Sequence, residues 1–196
     1  MSNNTDDLAI LPATSEPYQI VYEDDVLLVV NKPAQLLTVP GRHPQNQDCL
    51  IRRVQREFPF AEVVHRLDYD TSGLVILPLT KRVLSDISKQ FQARTVHKHY
   101  IAVVDGKLAK PRGEINLALA ADPLQRPLYK VCEQTGKPSL TRSMTQTVPS
   151  ALASTETTTI NYEQAGSTGQ SFPGIPGLEA GTDNIAMEVV SWLELQ

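Results

Sequence analysis

Val63-Val64-His65-Arg66-Leu67-Asp68-Tyr69-Asp70-Thr71-Ser72-Gly73-Leu74-Val75-Ile76-Leu77 is the stretch on which the fold turns. Two apolar runs, Val63–Val64 and Leu74–Leu77, flank nine residues that hold an arginine, two carboxylates and a hydroxyl-rich turn. The apolar runs read as strand. A carboxylate and a cation are therefore expected at the end of a buried strand, where scaffolds hold reactive groups.

Working outward, Tyr18–Tyr22 and Val26–Val30 read as two strands around the acidic turn Glu23-Asp24-Asp25. Asn31-Lys32-Pro33 ends the second. A loop to about Gln47 holds Pro40-Gly41 and Pro44. A short helix is expected from near Asp48, with Leu50, Ile51, Val54 and Phe58 on one face and Arg52, Arg53 and Arg56 on the other. Such an arginine cluster reads first as a solvated face and second as a phosphate contact. Leu74–Leu79 is a continuous apolar strand. Thr80 fits the N-cap of a helix through about Arg94, with Val83, Leu84, Ile87 and Phe91 at helical spacing. Tyr100–Val104 is the next strand. Others are expected near 114–120, 128–132 and 139–147, with Gly136-Lys137-Pro138 turning between the last two. The fold class is α+β: a mixed, mostly antiparallel sheet with a few packed helices.

Residues 1–17 read as a disordered tail and 18–147 as the body of the domain. From 148 to 184 Ser, Thr, Gly, Pro and Glu dominate and Lys and Arg are absent, so a flexible polar insert is expected. Residues 185–196 alternate again, with Met187, Val189, Leu193 and Leu195 on one side, as a final strand. The 196 residues suit one ordinary domain. No run of 18 apolar residues suggests a membrane span, and the polar, acidic start lacks the pattern of a secretory signal. Cys49 and Cys132 are isolated and read as reduced thiols, with no disulfide frame and no zinc site, in a cytoplasmic protein.

The net charge of −4 argues against nucleic acid until its distribution is followed. All 18 Lys and Arg lie between Lys32 and Arg142, against 10 Asp and Glu over 31–142, which leaves that stretch eight charges positive. Each end of the chain holds six acids and no Lys or Arg. A basic centre between acidic ends suits local binding of a polyanion.

The nine-residue run is His-Arg-Leu-Asp, two variable residues, then Thr-Ser-Gly. It resembles, residue for residue, the catalytic motif of the RluA-type pseudouridine synthases. The resemblance extends over about residues 18–142. Asn31-Lys32-Pro33 with Leu36-Leu37-Thr38-Val39-Pro40-Gly41 is similar to that family's N-terminal loop, and Lys98-His99-Tyr100 to its Lys-x-Tyr element. It implies the pseudouridine synthase fold and isomerisation of uridine in structured RNA, 23S rRNA or a tRNA anticodon loop. It further implies no cofactor, no metal, no membrane and a monomer. Asp68 is then the nucleophilic aspartate, Arg66 the base-displacing arginine and Tyr100 the active-site tyrosine, with His65, Thr71 and Ser72 as RNA-contacting residues. The family continues, after a strand like Met187–Leu195, with a Gly-Arg-x-x-Gln-x-Arg segment whose arginine pairs with the aspartate. The chain has no arginine after Arg142, so it reads as the front part of a synthase. The alternative is a catalytically impaired RNA-binding fragment.

The implied reaction breaks the N1–C1′ bond of uridine, turns the base and rejoins it through C5. Nothing is oxidised or carried away, so no cofactor is required. A carboxylate serves either as nucleophile or by stabilising positive charge at the sugar. Asp68 must be ionised in a partly dry pocket. Burial raises a carboxyl pKa, so a nearby arginine is needed to hold it down. A stacked base must first be flipped out, and a guanidinium such as that of Arg66 fills the vacated space well. Tyr100 suits a stacking platform whose hydroxyl helps remove the C5 proton. Taken singly, each has a plainer role. Asp68 and Asp70 are turn formers, Arg66 a surface ion-pair partner, Tyr100 a core aromatic and His65 a hydrogen-bonded structural residue. A hydrolase pair of Asp68 and Asp70 is the weakest reading, because residues two apart in a turn rarely face each other across a substrate.

Overall fold

The structure is a computed structural model and describes residues 9–12, 14–103, 110–124, 128–146, 157–163 and 189–194. It divides into two units, Met1–Lys89 and Gln90–Gln196.

In the first unit β1 (Gln19–Glu23), β2 (Leu27–Lys32) and β3 (Thr71–Pro78) form an antiparallel run in that order. The β1–β2 turn is built on Asp24, whose Oδ1 accepts from Val26 N at 2.9 Å and Leu27 N at 2.7 Å. That is the Asx geometry expected of an acidic turn. β2 alternates, and Leu28, Val30 and Lys32 are its buried residues. β3 is buried almost continuously through Val75, Ile76, Leu77 and Pro78, which suits an uninterrupted apolar run. The short helix α1 (Leu50–Val54) turns Leu50, Ile51 and Val54 inward. Phe58 N still bonds Val54 O beyond its end. With Leu36 and Cys49 these residues form the core.

The helix α2 (Lys81–Ala93) begins at Thr80, whose Oγ1 accepts from Val83 N at 3.4 Å. It ends where Arg94 takes a left-handed φ of 60° and Thr95 N reaches back to Gln90 O at 3.1 Å. Among the described residues no helix is long and apolar enough to cross a membrane.

The second unit holds β4 (His97–Val103), β5 (Arg112–Ala121), β6 (Tyr129–Val131), β7 (Lys137–Gln146), β8 (Thr157–Glu163) and β9 (Val189–Glu194). Their order is β9-β4-β8-β7-β5-β6, and every pair is antiparallel. The α+β class with a mostly antiparallel sheet is what the sequence led us to expect; an isolated bridge, Leu37 to Cys49, is parallel.

Four local expectations give way. Val63 and Val64 lie in irregular backbone, and the strand starts only at Thr71, so Thr71-Ser72-Gly73 is the head of β3 and not a turn. Polar groups around the motif are satisfied by other loops instead of a ladder, which removes the need for a strand there. The tail is tied down at 9–12 and 14–16. Leu11 N donates to Asn46 Oδ1 at 2.9 Å and Asn46 Nδ2 to Ala9 O at 2.8 Å. Arg53 donates to the carbonyls of Thr14 and Glu16. Composition registers few apolar residues there but not hydrogen-bond partners more than thirty residues away. Residues 1–8 and 13 lie outside the described set.

Within the expected polar insert, Thr157–Glu163 is a strand paired on one side with β4 and on the other with β7. Its Thr-Thr-Thr-Ile-Asn-Tyr run is β-branched and aromatic, a bias that the surrounding composition hides. The rest of 148–184, and residues 185–188, 195 and 196, lie outside the described residues. Finally, β6 and β7 lie on opposite sides of β5 and are no hairpin; the chain turns between them at 133–135, before Gly136, and Pro138 sits inside β7 opposite Ala118. A Cβ on Gly136 would meet Cys132 O at 2.2 Å and Ala118 C at 2.7 Å, so only glycine fits that close approach.

Candidate active site

The segment His65–Asp70 runs between the core and the head of β3. Leu67 is its buried anchor, 6% exposed. The Thr38 hydroxyl donates to Leu67 O at 2.7 Å and accepts from Leu67 N at 3.1 Å. Two residues on, Tyr69 O accepts from Leu36 N at 3.1 Å. The loop 33–38 therefore grips the backbone on both sides of Asp68. Thr71 N closes back onto Asp68 O at 3.2 Å. Gly73 follows at φ 124° in a buried position opposite Lys32. That backbone state strains any side chain, which explains the glycine after Thr-Ser.

Lys32 ends β2 at inward parity and is 0% exposed. Its Nζ donates to Pro33 O at 2.9 Å, Leu36 O at 2.7 Å and Tyr69 O at 3.4 Å. An ammonium carries three protons, and here each has a carbonyl. Burial pushes the amine down to about 8, opposed by the charges of Asp68 and Asp70. Sequence reading left Lys32 out of the site. The available signal was its place in the alternation Leu28-Val30-Lys32, which points a lysine into the core.

Asp68 is half-buried. Burial pushes its carboxyl up to about 6; Arg66 first, then Lys32, hold it down, and Asp70 adds to the rise. The carboxyl is then mostly ionised at pH 7. Arg66 and Asp70 are exposed. His65 accepts from Ile76 N through Nε2 at 2.9 Å, which leaves that nitrogen unprotonated and ties the motif to β3. This bond is the structural role considered for His65. Thr71 and Ser72 are half-buried at the head of β3. The Tyr69 hydroxyl donates to Pro12 O at 2.9 Å. The first unit thus brings together Arg66, Asp68, His65, Thr71 and Ser72, and adds Lys32 and Thr38. Tyr100 belongs to the second unit, half-buried on β4, in register with Ile160 and Ser191. Among the described residues no three His, Cys, Asp or Glu side chains gather to hold a metal ion. The arrangement offers a partly desolvated, charged carboxylate with an exposed guanidinium acting on it, a setting fit for nucleophilic or electrostatic work at an electron-poor carbon.

Residues 26–166 match a family model described as RNA pseudouridylate synthase. The dual-specificity RNA pseudouridine synthase RluA of Vibrio parahaemolyticus is 50% identical over 130 residues, 66% of this chain and 52% of that protein. Its counterpart in Escherichia coli K12 is 44% identical over 127 residues, 64% of this chain and 58% of that protein. The chain thus spans between half and two thirds of the length of these relatives. Among solved structures, human RNA pseudouridylate synthase domain containing 1 superposes with a TM-score of 0.61 at 23% identity, covering 79% of this chain and 62% of that one. Human RNA pseudouridylate synthase domain containing 4 gives 0.57 at 17% identity, covering 75% and 59%. At those identities the two human domains speak to the fold.

Proposed function

The chain belongs to the RNA pseudouridylate synthase family, and we propose that it isomerises uridine to pseudouridine in structured RNA with Asp68 as the reacting carboxylate. The observation that carries this reading is the setting of Asp68: half-buried in a segment gripped on both sides by loop 33–38, with the charges of Arg66 and Lys32 opposing the rise that burial gives its carboxyl. A carboxylate in that state is less blunted by water than a surface aspartate.

In the proposed reaction the uridine is flipped out of its stack, and Arg66 takes the vacated space. Asp68 supports cleavage of the N1–C1′ bond, as nucleophile or by stabilising positive charge at the sugar. The base turns, C5 bonds to C1′, the C5 proton leaves and N1 gains one. The product is an isomer of the substrate, so no atom or electron need be supplied or carried away. Tyr100 is assigned the stacking platform and help in removing the C5 proton. His65, Thr71 and Ser72 are assigned to holding the RNA and the segment that meets it. Residues 18–147 are the part of the catalytic domain that carries these groups. The name shared by the bacterial relatives, dual-specificity RNA pseudouridine synthase, supports RNA as the substrate class. The family resemblance favours 23S rRNA or a tRNA anticodon loop, a monomeric enzyme and a cytoplasmic site of action.

The test is tritium release from a tRNA anticodon stem-loop carrying 5-tritiated uridine, beside filter binding of the same RNA. The proposal expects release by the chain and none by Asp68→Asn, with binding unchanged. Binding without release by the unaltered chain favours an RNA-binding fragment. Full turnover by Asp68→Asn removes the carboxylate from the mechanism.

A further inference from the structure

We propose that Thr38 is a positioning residue for the reaction, holding the Asp68 carboxylate in place by clamping the backbone of Leu67 with its hydroxyl. This rests on the function proposed above. The observation is a double bond to one residue. Thr38 is 2% exposed, and its single hydroxyl satisfies both polar groups of the Leu67 backbone, donating at 2.7 Å and accepting at 3.1 Å.

Leu67 lies between Arg66 and Asp68, so the peptide groups on both sides of it orient the cation and the carboxylate. No strand ladder reaches this point, since β3 starts at Thr71. A hydroxyl does here what a neighbouring strand would otherwise do. The donor and acceptor are both needed: valine at this place would keep the shape and leave an N–H and a C=O buried with no partner. The second grip, from Leu36 N and Lys32 Nζ on Tyr69 O, lies beyond Asp68. Loss of Thr38 therefore frees one side of the carboxylate while the other stays held. That geometry predicts a tilt of the segment and not its collapse. Displacement of a reacting group by about 1 Å is enough to cost about a hundredfold in rate.

The experiment compares the wild-type chain, Thr38→Val, Thr38→Ser and a core control outside the β2–β3 pair, Ile87→Ala on α2. Two readouts are taken on protein shown to be folded by circular dichroism. One is tritium release at saturating RNA; the other is carbon-13 NMR titration of the Asp68 carboxyl. Thr38→Val is expected to lower kcat by about 10- to 100-fold with KM within about threefold. Its Asp68 midpoint should move down from about 6 toward an ordinary carboxyl as the freed side chain meets water. Thr38→Ser keeps the hydroxyl and should recover most of both. Ile87→Ala loses stability without either change, which separates positioning from general loosening. Should the valine variant not fold, Thr38→Cys takes its place, since a thiol is a weak donor and acceptor. A kcat within threefold and an unmoved Asp68 midpoint in the variant without the hydroxyl overturn the proposal. If the wild-type chain releases no tritium, the function proposed above fails and the titration alone decides. A midpoint shifted by valine and restored by serine then supports the clamp, and one unmoved by valine refutes it.

Discussion

Asp68 and Lys32 face the same difficulty from opposite sides. Each is charged in a place that disfavours charge, and each supports the other's ionised form. Asp68 must be charged for the proposed mechanism, and Lys32 must be an ammonium to serve the three carbonyls that shape the segment beside it. The rate should then rise as Asp68 ionises through about pH 6 and fall as Lys32 loses its proton near pH 8. A bell-shaped kcat profile with those limbs is expected, its midpoints belonging to the coupled pair. Stability runs the other way. The folded pKa of Asp68 lies above its unfolded value, so the native state is favoured by protonation, and the carboxylate weakens the fold above about pH 6. Asp68→Asn should therefore stabilise the chain by about 1–2 kcal/mol at pH 7, after discounting for solvent screening. The gain should shrink as pH falls from 6 toward 4, measured by urea melts across that range. Asp68 and Arg66 were legible in the sequence because they belong to a contiguous motif. Lys32 and Thr38 were not read as site residues, because their parts rest on contacts about thirty residues along the chain, to Tyr69 and Leu67.

Among the elements, the β2–β3 pair does most to set the site. It seats Lys32 against Gly73, and Gly73 holds a φ of 124° that side chains rarely adopt. Gly73→Ala should cost about 1–3 kcal/mol in a denaturant melt and lower turnover together with it. An alanine variant as stable as the wild type would mean that the backbone there is not strained. The same pair shows what periodicity delivers. The alternation of β2 and the apolar run of β3 were both readable, as were Thr80 and the helix after it. The irregular approach through Val63 and Val64 was not. Two valines suggest a strand, but a strand needs a partner, and the turn's backbone is held by loop 33–38 instead. Thr157–Glu163 failed for the converse reason: a polar setting hid a β-branched run that has strands on both sides. Residues 9–12 and 14–16 failed because side chains such as Asn46 and Arg53 order them, and composition carries no such information.

At the scale of the whole chain, charge is distributed against its own total. The net is −4, yet every Lys and Arg falls between residues 32 and 142. RNA binding by this protein should therefore depend on salt despite the acidic ends. A loss of affinity of about tenfold or more between 50 and 200 mM salt is expected in filter binding. Salt-independent binding would mean that the basic centre does not meet phosphate. Fold class and family were readable from the motif set and the run of strands. Which RNA the basic centre meets was not, since phosphate contacts position an RNA without naming its sequence.

The most direct measurement is a crystal structure of the chain with an RNA stem-loop carrying 5-fluorouridine at the modified position. The account predicts the target nucleotide flipped out, Arg66 in its place, and an Asp68 carboxylate oxygen within about 3.5 Å of C1′. A flipped nucleotide whose sugar lies far from Asp68, or a target base still stacked in the RNA, would contradict it.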